Sequence, residues 1–173
     1  MWSSGSLWWR TGNGTGPRKP SGAQLALARE SGLHFGPTAW ALCFLAEAKL
    51  GQGDPRSVLE LADRALVDAR QSGGRLFEMD ALLIRARALL GSEGVSCAAE
   101  VERTLSEVSA MIEETEARCR SPIVHEILAE LARLRGNEAT RRNELREAHR
   151  LLVAMGATGH AERIAPLLAE SAR

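Results

Sequence analysis

The chain has 173 residues, of which 45% are hydrophobic and 25% charged, and its 22 lysines and arginines balance its 22 aspartates and glutamates. A neutral chain of this length can bury a core as one domain, and it has no overall field to attract nucleic acid or an anionic membrane. The three cysteines lack C-x-x-C spacing, which argues against a disulfide framework or a zinc site. Because no apolar run approaches the ~20 residues of a membrane span, we expect a cytoplasmic protein.

The first 20 residues differ in composition from the rest. They are rich in glycine, hold three of the four tryptophans and show neither a helical nor a strand period. We interpret residues 1–20 as a disordered tail, and residues 21–173 as a helical-repeat domain. That domain is predicted to begin with a short helix at 21–31, ended by Gly32.

From residue 37 onward, apolar residues recur at three- and four-residue steps, which predicts a series of helices. Asp54 suits an N-cap and Pro55 the first turn of a helix, so the second of these helices begins there. The sequence "QSGGR" ends that helix. The predicted helices cover about 37–50, 55–70, 76–90, 95–118, 122–135 and 138–155, with a last helix that Pro166 interrupts.

One helix ending occurs three times, as "LAEAKLGQGD" (45–54), "IRARALLGSEG" (84–94) and "LAELARLRGNE" (128–138). Gly51, Gly91 and Gly136 are each predicted to close the first helix of a pair. A helix pair with one apolar stripe cannot bury that stripe alone, so pairs stack and share a core. The sequence therefore predicts an all-α fold of stacked antiparallel helix pairs, an α-solenoid. An irregular helical bundle is the alternative.

The segment "GDPRSVLELADRAL" (53–66) resembles the second helix of a tetratricopeptide repeat. In that family the helix follows a Gly-Asp turn, here Gly53-Asp54, and Val58 and Ala62 would face inward. Ala65 falls on the position that the family fills with a small residue. The segment "GNEATRRNELREAH" (136–149) is similar, with Leu145 and Ala148 at the corresponding positions.

A narrower resemblance extends over most of residues 23–170. "LARESGLHFGP" and "RRNELREAHRLLVAMGATGHAER" are similar to the C-terminal repeat region of bacterial signalling proteins that combine an adenylate/guanylate cyclase domain, a STAND-type ATPase and tetratricopeptide-like repeats. The resemblance implies a non-catalytic module for protein–protein interaction, or for regulating such catalytic domains. The ATPase phosphate loop needs a Gly-Lys pair, which the sequence lacks; "GNGTGPRK" has the wrong spacing.

The resemblance also implies candidate partner-binding residues, because first helices line the concave groove of tetratricopeptide stacks. These candidates are Trp40, Cys43, Glu47, Glu126, Glu130 and Arg133. The three glutamates would repel a carboxylate, so we expect a groove ligand that is neutral or basic, or apolar around Trp40. The alternative is an ordinary surface.

A basic stripe is the second candidate surface. Arg142, Arg146 and Arg150 are spaced four residues apart and share one helix face, which could dock an acidic protein or a phosphate. The alternative is a solvated face on which Glu138, four residues earlier, pairs with Arg142.

Fewer features of the sequence support other functional classes. A metabolite sensor with an inter-helix pocket is the main alternative to the scaffold. A helical enzyme would need an acid–base or metal constellation, and the four histidines are too scattered for one. We therefore expect no catalysis, no cofactor and no metal, and we expect Cys43 to be a buried thiol.

The sequence also predicts association between copies. A stack without preceding repeats exposes an apolar face at its N-terminal end, and such faces associate. Phe35, Trp40 and Phe44 lie near that end. We expect a homodimer formed through it.

Overall fold

The computed structural model describes residues 37–170, and within that range the chain is helical without a strand. The predicted all-α class is thereby confirmed for this part. The predicted tail at 1–20 and the predicted helix at 21–31 lie outside the described residues. The chain divides into two compact units at Ala88/Leu89. None of the described helices has the length and apolar character needed to cross a bilayer.

The first unit is built on three helices, α1 (Pro37–Gly51), α2 (Pro55–Ser72) and α3 (Arg75–Glu93), the last of which continues beyond the unit's end at Ala88. The turn into α2 forms as predicted. Asp54 is the N-cap, its Oδ1 accepting a hydrogen bond from the Ser57 amide at 3.2 Å, and Pro55 occupies the first turn. α2 ends at Gly73, whose φ of 69° lies in the left-handed region that glycine enters without steric cost.

Small side chains fill the interface of the first unit. Val58, Ala62 and Ala65 of α2 are fully buried, which confirms the prediction that Val58 and Ala62 face inward. They pack in one cluster with residues of the two flanking helices: Cys43, Ala46, Ala81, Ile84 and Ala88. Alanine at the contacts lets helix backbones approach closely, so this short unit buries a continuous core.

One buried carboxylate ties α2 to the start of α3. Glu78 is 8% exposed, and its Oε1 accepts a hydrogen bond from Arg70 Nε at 2.7 Å. Its Oε2 accepts another from Arg75 Nη1 at 3.1 Å. Burial raises the pKa of Glu78, but the hydrogen bonds and charges of the two arginines outweigh it and hold that pKa below the ordinary 4.5. The ion pairs thus keep this carboxylate charged.

We expect Glu78→Gln to lower the free energy of unfolding at neutral pH by about 1 kcal/mol, a modest value because both guanidinium groups are half exposed. A carboxyl whose pKa is depressed in the folded state stabilises the fold above its unfolded pKa, and that contribution is lost as the pH falls through the folded value. The difference between wild type and variant should therefore shrink as the pH falls below 4.5. Urea unfolding at about pH 7 and about pH 3 measures it. The exposed Glu113→Gln is the control, and an undiminished Glu78→Gln difference at the lower pH would contradict the assignment.

The second unit contains a 3-10 helix (Gly94–Cys97), α4 (Ala98–Thr115), a second 3-10 helix (Arg118–Arg120), α5 (Ser121–Leu134), α6 (Glu138–Ala154) and α7 (Thr158–Glu170). Asn137 caps α6, accepting a hydrogen bond from the Thr140 amide at 3.0 Å. α6 packs extensively against both α5 and α7. The core that these three helices share consists of Ala129, Leu145, Ala148, Leu152, Ala161 and Ile164.

Two predicted helix ends are wrong. Gly91 lies inside α3, and the left-handed glycine is Gly94, with φ 62°. An exposed glycine costs a helix only about 1 kcal/mol, and the buried Leu89 and Leu90 favour its continuation. α4 ends at Thr115, three residues before the predicted end, because Glu116 adopts a left-handed φ of 55°.

Pro166 does not interrupt the last helix either, since α7 runs through it. A proline in a helix removes one N–H donor and crowds the preceding turn. Here the ring lies on the exposed side, while Ala161 and Ile164 are buried in the core. The packing of that face holds the helix together across the proline.

Candidate functional site

Two neighbouring aromatic rings are exposed on α1. Trp40 is 41% and Phe44 38% exposed, although both are large hydrophobic residues. Their ring centroids are 4.7 Å apart with planes inclined at 66°, the edge-to-face arrangement that aromatic pairs favour. Leu45, 48% exposed, follows directly. We call Trp40, Phe44 and Leu45 the aromatic ridge.

Cys43 lies between these residues in sequence but faces the core. It is 6% exposed, and its Sγ lies 3.9 Å from the carbonyl oxygen of Phe77 in α3. Burial first, and then the charges of Asp80 and Glu47, raise the pKa of the thiol to about 12. The buried thiol that the sequence predicts is therefore present, and its raised pKa keeps it protonated at neutral pH. Cys43 is a core residue and offers a partner little surface.

Glu47 is paired within the first unit. Its Oε1 accepts a hydrogen bond from Arg87 Nη1 at 3.0 Å, and the Arg87 side chain is only 10% exposed. Arg87 comes from α3, 40 residues further along the chain. Glu47, expected from the sequence to be an unpaired negative charge, is thus neutralised by Arg87 in the fold.

The candidate glutamates of the second unit are neutralised in the same way. Both carboxylate oxygens of Glu126 lie within 2.9 Å of Arg163 Nη2 from α7. Glu130 accepts two hydrogen bonds from Arg133, at 2.8 Å and 2.6 Å. The expectation of a lining that repels carboxylates thus loses its basis, because each acid already has an arginine partner.

The basic stripe on α6 is interleaved with acids. Arg150 donates two hydrogen bonds to Glu147, at 2.8 Å and 2.5 Å, and this contact holds the pKa of Glu147 below its ordinary value. Arg146 is exposed, whereas Arg142 is half-buried. The stripe is thereby less basic than its spacing suggests.

Glu138 has an arginine partner that the spacing argument did not consider. Glu138 accepts a hydrogen bond from Arg141 Nη1 at 3.0 Å, three residues ahead. The arginine of that pair is 15% exposed, so its guanidinium lies along the helix surface and not out in solvent. Within the stripe itself, Arg146 and Arg150 are the exposed members.

A polar contact between α5 and α6 was also missed by sequence reasoning. His125 Nδ1 and Glu144 Oε2 lie 2.7 Å apart and join α5 to α6 by a hydrogen bond. The two residues are 19 positions apart, and neither stands in a spacing that marks a site. No signal in the sequence alone would have found this contact.

An open groove runs between α1 and α2 in the first unit, with a volume of about 380 Å³. We call it the α1–α2 groove. Its lining residues are Thr38, Leu42, Asp63, Arg64, Val67, Asp68 and Gln71. Both of its carboxylates are engaged: Asp68 accepts a hydrogen bond from the Ala39 amide at 2.8 Å, and Asp63 one from Arg85 at 3.0 Å.

The groove does not favour the metabolite-sensor alternative. Ligand pockets of about 300–1,000 Å³ are usually concave and enclose most of the ligand, whereas this one is open to solvent. Across the part of the chain that the structure describes, no three His, Cys, Asp or Glu side chains are placed to hold a metal ion.

Comparison with known proteins identifies no relative of this chain. The chain matches no protein-family model, and no curated protein or solved structure is significantly similar to it. The resemblance to tetratricopeptide repeats and to cyclase-linked repeat regions accordingly stays a prediction from the sequence.

Proposed function

We propose that this chain is a non-catalytic, tetratricopeptide-like helical-repeat scaffold that binds a protein. The partner is either a separate protein or a signalling domain, of the cyclase or ATPase type, joined to the repeats in the same polypeptide. The observation that carries the proposal is the aromatic ridge, in which Trp40 and Phe44 stack edge to face at the surface of α1.

The ridge has the properties of a binding anchor. Exposed aromatic side chains supply much of the energy at protein interfaces, because they bury a large area and lose little conformational freedom. The alanine-rich contacts beneath, at Ala46, Ala62 and Ala65, hold α1 firmly against α2. A rigid helix that presents two fixed rings suits recognition of an apolar or aromatic segment on a partner.

The proposal is tested by comparing captured partners quantitatively. Wild type, Trp40→Ser and a control, Val153→Ser, are used as baits in an extract of the organism that encodes the chain. Val153 is 53% exposed on α6 and lies in the other unit. We expect a protein that wild type and the control retain and Trp40→Ser loses. Titration of that purified protein should then show affinity weakened at least about tenfold by Trp40→Ser. Equal affinity for all three baits would contradict the proposal.

The same ridge supports the predicted homodimer through the N-terminal end, since Trp40 and Phe44 lie in the first described helix; Phe35 lies outside the described residues. We expect light scattering to show a mass that rises from monomer to dimer with concentration, and Trp40→Ser to shift this equilibrium towards monomer. Circular dichroism confirms that helicity is retained. A wild-type chain that stays monomeric at high concentration would exclude the dimer, while leaving a heterologous partner to be tested by capture.

A further inference from the structure

The α1–α2 groove lies on a different side of α1 from the aromatic ridge. Thr38 and Leu42 line the groove, and Trp40 and Phe44 each follow two residues later, about 200° further around the helix. On the α2 side the groove includes Val67, which is 56% exposed. The groove is therefore a second apolar surface, separate from the one assigned to the partner.

The chain itself supplies a segment next to this groove. Thirty-six residues precede α1, and they join it one residue before Thr38, at the groove's edge. Residues 21–31, "SGAQLALARES", carry Leu25 and Ala28 at helical spacing. The residues between Gly32 and Pro37 can span roughly 13 Å when extended, which is enough for the chain to turn back along α1.

The length and the charges of residues 21–31 are also compatible with the α1–α2 groove. The groove residues of α2, from Asp63 to Gln71, extend about 12 Å along that helix, and an 11-residue helix is about 16 Å long. The groove presents one exposed base, Arg64, beside its acids. Residues 21–31 carry one charge of each sign, Arg29 and Glu30, near their C-terminal end.

We propose that residues 21–31 dock in the α1–α2 groove of the same chain, with Leu25 and Ala28 against Leu42 and Val67. The segment thereby covers the groove. The aromatic ridge remains available, so this inference does not depend on the proposed function.

Disulfide trapping in the full-length chain tests the docking. In a Cys119→Ser background, which removes the exposed native thiol, Ala28→Cys is combined with Val67→Cys. The control pair combines Ala28→Cys with Ala48→Cys, an exposed residue of α1 on the ridge side. Mild oxidation with copper phenanthroline is followed by non-reducing electrophoresis and peptide mapping.

We expect an intrachain disulfide for the Val67 pair, formed at a rate independent of protein concentration and about tenfold faster than for the control pair. A disulfide between two chains that increases with concentration would show that a second copy occupies the groove. Equal rates for both pairs, or no intrachain link, would overturn the docking.

A second measurement does not require engineered cysteines. Docking should protect the bond after Arg29 from trypsin, and Val67→Lys places a charge in the groove. We expect that variant to be cleaved there roughly tenfold faster than wild type, with Val153→Lys as the control in the other unit. Unchanged cleavage in Val67→Lys would count against the docking even if a disulfide forms.

Discussion

Ile164→Ala should lower the free energy of unfolding by about 2–5 kcal/mol. Ile164 is 1% exposed and lies in the core that α5, α6 and α7 share. Truncation removes three carbon atoms from a site whose neighbours, among them Leu145 and Leu152, are fixed on α6 and can close the cavity only in part. Urea denaturation followed by circular dichroism measures the loss.

The matched control lies three residues away on the same helix. Leu167 is 38% exposed, so Leu167→Ala removes a comparable side chain from a site where little packing is lost, and we expect an effect below about 1 kcal/mol. Similar losses for both variants would mean that α7 does not pack on α6 as the structure shows.

Ala148→Leu should destabilise the fold by about 1–3 kcal/mol through overpacking. Ala148 is fully buried at the position where α6 meets the α5 and α7 core, so a larger side chain must push the helices apart. Ala139→Leu, an exposed site on α6, is the control and should stay within about 0.5 kcal/mol of wild type. If Ala148→Leu were neutral, the close helix contact assigned to this position would be incorrect.

The sequence predicted most helix boundaries because local interactions determine them. Asp54 accepts a hydrogen bond from an amide three residues ahead, as does Asn137, and both bonds depend on residues adjacent in sequence. The predictions that fail concern Gly91, Pro166 and the end of α4. At Gly91 and Pro166 local propensity argues for an end, and tertiary packing of the flanking residues overrides it. α4 ends early at Glu116, a residue type that does not mark a helix end in the sequence.

The contacts of the candidate partner-binding residues were harder to predict, because they too depend on tertiary packing. The sequence shows which residues are acids, but it does not show their partners. The arginines that pair with Glu47 and Glu126 lie 40 and 37 positions away on other helices. Only the three-dimensional packing brings Arg87 and Arg163 to them. The aromatic pair was easier to predict, because Trp40 and Phe44 stand four residues apart and share a helix face.

The arginine–glutamate pairing affects the rate at which a partner would associate with this chain. Positive and negative groups that neutralise one another a few ångströms apart leave little potential beyond the Debye length of about 8 Å at physiological salt. A chain with no net charge and such internal pairing does not steer an approaching molecule electrostatically. Association should then proceed near the unsteered rate of about 10⁵–10⁶ M⁻¹ s⁻¹ and hardly vary with ionic strength. Complex lifetime, set by how well the exposed rings are buried, would then determine affinity.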